Sequence, residues 1–79
     1  MTPEQVLAAV QEAVAIVLEV PAGSVRPEHR FAEDLVADSL ALVEIVDIVE
    51  ERLGVVFDDR DLDELTTVQQ AVDYAFARL

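Results

Sequence analysis

Apolar residues recur at intervals of three and four positions in three separate segments, and this spacing constrains the fold more than any other feature of the chain. Such spacing places the apolar side chains of each segment along one face of an α-helix. The first stripe comprises Val6, Val10, Ala13, Val14, Val17 and Leu18, the second Leu42, Ile45, Val46 and Val49, and the third Val68, Val72, Ala75, Phe76 and Leu79. Three such faces are buried by packing against one another, so the sequence predicts an all-α bundle.

The first helix and the loop that follows it are marked by capping residues and proline. Thr2–Gln5 has a capping-box pattern with proline at the first helical position, so we expect the helix to begin there. It must end before Pro21, because a proline restricts the residue that precedes it. The stretch from Pro21 to Ala37 is then a long connection, in which Phe31 and Leu35 are the expected apolar anchors. Loops of this length commonly carry function.

The remaining helices are predicted from similar signals. Asp38 is suited to cap a second helix from about Ser39 to Leu53, and Gly54 is suited to stop it. The acidic segment Asp58–Glu64 predicts a short third helix, and Thr66–Gln69 repeats the capping-box pattern before the last one. The expected architecture is a four-helix bundle with three main helices, a short third helix and a long first loop, in one domain that covers all 79 residues.

The charge and composition of the chain exclude several functions. With 17 acidic against 5 basic residues the formal net charge is -12, which opposes binding to nucleic acid and to anionic membrane surfaces. No run of roughly 18 apolar residues is present, so no membrane insertion is expected. The chain has no cysteine and therefore encodes no disulfide, thiolate metal site or thiol nucleophile. We expect a monomeric cytoplasmic protein whose partners present basic surfaces.

The long loop enters the second helix through Asp38-Ser39-Leu40, and this tripeptide carries a family resemblance. The chain resembles the acyl carrier protein family, whose signature is Asp-Ser-Leu at the start of the second helix. The likeness extends with compatible spacing to Phe31–Leu35, Val43–Val46, Glu50-Glu51 and Thr66–Val68, and so over nearly the whole chain.

The resemblance implies a covalent cofactor on Ser39. In the family this serine receives 4'-phosphopantetheine from coenzyme A through a separate phosphopantetheinyl transferase, and Asp38 is its neighbour in the motif. A serine in the first turn of a helix also suits a permanent anion, because free N–H groups and the positive end of the helix dipole lie beside it. The arm would bring the thiol that a cysteine-free chain lacks.

The resemblance further implies partners and a place for cargo. Family partners, including ketosynthase, acyltransferase and other synthase enzymes, approach the second helix with basic surfaces. The corresponding docking residues here are Leu40, Glu44, Asp47, Glu50 and Glu51. In related carriers the acyl chain can lie between the helices, and a pocket at Phe57 and Val72 is the matching hypothesis. Nothing in the sequence separates fatty acid from polyketide synthesis.

One residue departs from the family pattern beside the motif. Val36 stands where the family usually has glycine. A β-branched residue strongly disfavours a positive φ angle, so either the backbone is ordinary there or the loop follows a different path.

Other interpretations of the same residues remain open. Asp38 and Ser39 are also common capping residues, so the chain can be an unmodified acidic interaction module. A peptidyl carrier is a nearer alternative, although the glycine pair usual before its serine is absent. Catalysis is not expected, because the chain has one histidine, His29, and no nucleophile elbow. No metal site is expected either, since the Asp59–Glu64 run lacks the glycine that a calcium loop needs.

Overall fold

The computed structural model describes all 79 residues and is entirely helical, which confirms the predicted fold class. Three α-helices, α1 (Pro3–Leu18), α2 (Ser39–Leu53) and α3 (Val68–Ala77), are joined through two 3-10 helices at Ala22–Ser24 and Asp59–Glu64. The predicted short third helix is therefore a 3-10 helix. None of the helices has the length and apolarity that crossing a bilayer requires.

The helix ends follow the capping chemistry of the sequence, with one shift of register. Thr2 and Gln5 form the expected capping box at α1, and Gly54 ends α2 with φ at 68°. At α3 the box is formed by Thr67 and Gln70, one residue later than predicted. The reason is that Thr66 belongs to the preceding connection, where its carbonyl oxygen accepts a hydrogen bond from the Phe31 N–H at 2.9 Å.

The core lies where α1 packs against both α2 and α3. The largest fully buried side chains are Ile45 and six valines, and no polar side chain is buried. The three predicted stripes supply most of this core, which confirms the reading of the apolar spacing. Leu79 is an exception, because α3 ends at Ala77 and leaves Leu79 53% exposed.

The long connection between α1 and α2 is held in place by burial and by hydrogen bonds to α1 and to the start of α3. Phe31 is buried and Leu35 is half-buried against the core, as predicted for anchors. The Gln11 side chain of α1 donates to the Val25 carbonyl at 2.8 Å. At the start of α3, the Val68 N–H donates to the His29 carbonyl at 3.0 Å. The loop therefore reaches α2 along a fixed path.

Val36 adopts a left-handed backbone, with φ at +55°. Of the two alternatives left open for this residue, an ordinary backbone is wrong. The turn is closed by a 2.8 Å hydrogen bond from the Ala37 N–H to the Phe31 carbonyl, and it places Ala37 in the core. The Val36 side chain itself is 81% exposed, so its own packing does not offset the steric cost of this conformation, which is about 1–2 kcal/mol for a residue other than glycine.

Replacing Val36 with glycine is expected to stabilise the fold. Val36→Gly removes the left-handed strain but adds about 0.5–1 kcal/mol of chain entropy to the unfolded state. The free energy of unfolding is expected to rise by about 0.5–1 kcal/mol, measured by urea denaturation followed with circular dichroism. Val56→Gly is the matched control, because Val56 is also an exposed valine outside the helices and has no positive φ. Equal destabilisation by both changes would contradict the strain at Val36.

Candidate functional site at the start of helix α2

Ser39 is the first residue of α2, and its side chain is exposed. Asp38 is the N-cap, and its carboxylate accepts a hydrogen bond from the Ala41 N–H at 2.8 Å. The Asp38 carbonyl accepts a second bond, from the Leu42 N–H at 2.9 Å. The structure thus confirms Asp38 as the cap that fixes the first turn, and it leaves the Ser39 hydroxyl free of hydrogen bonds within the protein.

Two backbone donors are available beside the Ser39 hydroxyl. The N–H groups of Ser39 and Leu40 make no hydrogen bond within the protein, as is usual in the first turn of a helix. The positive end of the helix dipole adds to the attraction that these donors exert on an anion. An exposed serine at this position therefore fits a negatively charged group attached to its oxygen.

The loop before the site has its own stabilising contacts. The Arg30 N–H donates to the Asp34 carboxylate at 2.7 Å, and this hydrogen bond lowers the pKa of Asp34. The Arg30 guanidinium lies 3.2 Å from Glu33. These contacts close the turn that leads into Val36, and the hydrogen bond from Arg30 favours the ionised form of Asp34.

A cleft of about 350 Å³ opens next to Ser39. Its apolar lining includes Phe31, Leu42, Leu62 and Leu65, and Asp38 and Ser39 also line it. The cleft is formed by the loop, the first turns of α2 and the 3-10 helix at Asp59–Glu64. Phe57 and Val72, the residues of the hypothesised pocket, do not line this cleft. Both are buried in the core.

Four of the five predicted docking residues lie on one exposed face of α2. Leu40, Glu44, Asp47 and Glu51 follow one another at intervals of four, three and four residues, which is the spacing of a helix face. All four are exposed, and Leu40 is 67% exposed. Val43 was not among the predicted docking residues, although it is 41% exposed and adjoins Glu44.

Glu50, the fifth predicted docking residue, has a structural contact. Its side chain is half-buried, and its carboxylate accepts a hydrogen bond from the Phe57 N–H at 2.7 Å. This bond ties the end of α2 to the segment that follows Gly54. Glu51, by contrast, makes no hydrogen bond with its side chain and is exposed.

Tyr74 organises a second group of contacts, which sequence reasoning did not single out. Its hydroxyl donates to the Asp61 carboxylate at 2.6 Å and accepts from the Asp58 N–H at 3.0 Å. The hydrogen bond to Asp61 raises the pKa of the Tyr74 phenol. The Tyr74 ring stacks on the Phe57 ring, with the two centroids 4.7 Å apart. The Arg78 guanidinium carbon lies 3.4 Å from the centre of the Tyr74 ring.

The fold and site define a small helical domain with an exposed serine at the start of its second α-helix. Residues 8–75 match the family described as phosphopantetheine attachment site. The chain is 45% identical to an acyl carrier protein of Rubrobacter xylanophilus over 94% of its own length and 91% of that protein. It is 39% identical to an acyl carrier protein of an Exiguobacterium species over the full length of both.

A solved structure also resembles the chain. The acyl carrier protein of Enterococcus faecalis superposes with a TM-score of 0.79 over the whole of both chains, at 32% identity. The chain belongs to the acyl carrier protein family. Its cofactor is covalently attached 4'-phosphopantetheine, and the free donors at the start of α2 fit the phosphate of that group.

Substitution of Glu50 is expected to lower stability, whereas substitution of its neighbour is not. Glu50→Ala leaves the Phe57 N–H without its charged acceptor, which costs about 1–3 kcal/mol in the free energy of unfolding. Glu51→Ala removes the same charge from an exposed position and is expected to change stability by less than about 0.5 kcal/mol. Urea denaturation of both variants makes the comparison. Similar values for the two would show that the Glu50 contact contributes nothing.

The Tyr74 phenol is expected to titrate above the ordinary value of about 10. The chain has one tyrosine and no tryptophan, so the ultraviolet absorbance of tyrosinate reports on this residue alone. Because the folded pKa is raised, the stability that this hydrogen bond contributes is present below the unfolded pKa and is lost as pH rises through the folded pKa.

Asp61→Ala is expected to bring the Tyr74 midpoint down toward the ordinary value. Asp63→Ala is the matched control, because it removes a carboxylate from the same 3-10 helix without touching Tyr74. Equal midpoints in the wild type and the Asp61 variant would show that this contact does not set the titration.

Proposed function

We propose that Ser39 is the residue that receives 4'-phosphopantetheine from coenzyme A. The observation that carries the proposal is the exposed position of Ser39 at the first residue of α2, beside two backbone N–H groups without partners. Asp38 already caps the turn through Ala41, so the donors of Ser39 and Leu40 stay available for the phosphodiester. No other residue of the chain has both a hydroxyl without a hydrogen-bond partner and unpaired backbone N–H groups beside it at the start of an α-helix.

The chain itself performs no catalytic step in this proposal. The Ser39 hydroxyl has no hydrogen bond to a base, and the single histidine, His29, uses Nδ1 to accept from the Arg26 N–H at 3.0 Å. Activation of the hydroxyl therefore falls to the phosphopantetheinyl transferase. Once attached, the arm supplies a terminal thiol that holds acyl groups as thioesters.

The acidic face of α2 is the proposed docking surface for that transferase and for the synthase enzymes. One side of α2 carries four exposed residues, Leu40, Glu44, Asp47 and Glu51. Ser39 is the first residue of the same helix. An exposed ion pair contributes only about 0–1 kcal/mol, so no single carboxylate decides binding. The collective field of a chain with net charge -12 speeds encounter with basic partners, and Leu40 supplies the apolar contact.

The acyl groups are those of a fatty acid or polyketide synthase whose ketosynthase and acyltransferase are separate proteins. The similarity of the chain to curated acyl carrier proteins supports an acyl cargo. The cleft beside Ser39 offers an apolar surface to cargo on the arm, through Phe31, Leu42 and Leu65.

Incubation with coenzyme A, magnesium and a phosphopantetheinyl transferase of broad specificity is expected to add the mass of one phosphopantetheinyl group. Ser39→Ala is expected to gain no mass, because the acceptor oxygen is gone. Intact-mass spectrometry measures both.

Ser24→Ala provides the matched control for this experiment. Ser24 is the only other serine of the chain, and its hydroxyl donates to the Pro21 carbonyl at 2.7 Å within the loop. This variant is expected to be modified like the wild type. Modification of Ser39→Ala, or no modification of the wild type by several transferases, would move the assignment to an unmodified acidic interaction module.

A further inference from the structure

The 3-10 helix at Asp59–Glu64 is attached to the bundle by few contacts. It contains no buried residue, and it packs against the α-helices far less than α1 packs against α2 and α3. Only Leu62 and the following Leu65 contribute apolar contacts to the core from this region. A segment with so little burial can open locally without unfolding the bundle.

Its main attachment to α3 is a set of polar and aromatic contacts centred on Tyr74. We name this set the Tyr74 latch; it comprises the side chains of Tyr74, Asp61 and Arg78 and the N–H group of Asp58. The Tyr74 hydroxyl bridges the 3-10 helix by donating to Asp61 and accepting from the Asp58 N–H, at 2.6 and 3.0 Å. Arg78 lies over the Tyr74 ring and 3.9 Å from the Asp61 carboxylate. One side chain of α3 therefore holds both the start and the middle of the 3-10 helix.

The same 3-10 helix forms one wall of the cleft beside Ser39. Leu62, Asp63 and Leu65 line the cleft from this side, and Phe31 and Leu42 line it from the other. Because α2 and the loop are fixed by core packing, the 3-10 helix is the wall that can move at the least cost.

We propose that the Tyr74 latch holds this wall in its present position, and that release of the latch widens the cleft next to Ser39. The latch is a conformational device in the unmodified protein; its effect on cargo carried by Ser39 rests on the proposed function. The Tyr74 hydroxyl is the group that controls the position of the 3-10 helix, because it bonds both Asp61 and the Asp58 N–H. The stacking of the Tyr74 ring on Phe57 contacts neither of them.

Tyr74→Phe tests the latch, because it removes the hydroxyl and keeps the ring that contacts Phe57 and Arg78. Amide hydrogen exchange in the unmodified full chain is the measurement. The N–H groups of Asp61 and Leu65 bond within the 3-10 region at 2.9 and 3.1 Å, and their exchange is expected to speed up by about five-fold. The helical amides of Val10 and Val14 in α1 are expected to stay within about two-fold of wild type.

Arg60→Ala is the matched control. Arg60 lies in the same 3-10 helix, its side chain is 88% exposed, and its hydrogen bonds and ion pair go to Asp58 and not to α3. Exchange at Asp61 and Leu65 is expected to change little in this variant. The latch is overturned by unchanged exchange in Tyr74→Phe, by equal acceleration in Arg60→Ala, or by acceleration of the α1 amides to the same extent.

Binding of the uncharged fluorescent probe N-phenyl-1-naphthylamine, followed by its fluorescence, tests whether the cleft itself widens. Tyr74→Phe is expected to bind the probe more tightly than the wild type and Arg60→Ala, and equal binding by all three would overturn the coupling of latch to cleft. Both measurements use the chain without its arm. Their failure would leave the assignment of Ser39 untouched, and failure of Ser39 modification would leave the latch untouched.

Discussion

The anchoring of the long loop decides where α2 begins, and the site depends on that position. Phe31 is buried in the core, and its backbone pairs with Thr66 in one direction and with Ala37 in the other. These bonds bring the loop to Asp38 at a fixed point, and the Asp38 carboxylate then caps the first turn. The Ser39 hydroxyl and its neighbouring N–H groups are placed by this chain of contacts. Flexibility in the loop would leave the first turn of α2 without a defined start.

The strain at Val36 fits this account. The left-handed backbone at an exposed valine is unfavourable by itself, yet it turns the Ala37 N–H back toward the Phe31 carbonyl and places Ala37 in the core. The local cost is therefore offset by contacts that position the site. Strained conformations of this kind persist where the surrounding structure over-determines them.

Much of the fold was predictable because helices depend on local spacing and capping. The three apolar stripes located α1, α2 and α3, and the Asp-Ser-Leu motif lies at the start of α2 as predicted. The φ angle of Val36 was not predictable, because β-branched residues rarely adopt it and it follows from the hydrogen bond between Ala37 and Phe31. The hydrogen bond between Glu50 and Phe57 depends on how the segment after Gly54 packs against α2, which helix periodicity does not record. The contacts of Tyr74 with Asp61 were missed for the same reason.

The central claim is that the first turn of α2 is already built to hold the phosphodiester on Ser39. Amide NMR spectra of the chain before and after modification test it most directly. The account predicts that the Ser39 and Leu40 N–H protons shift downfield and exchange more slowly after modification, because they gain an anionic acceptor. The Ala41 N–H, already bonded to Asp38, and the core amides of α1 are predicted to change little. Shifts spread through all of α2, or none at Ser39 and Leu40, would contradict a preformed site.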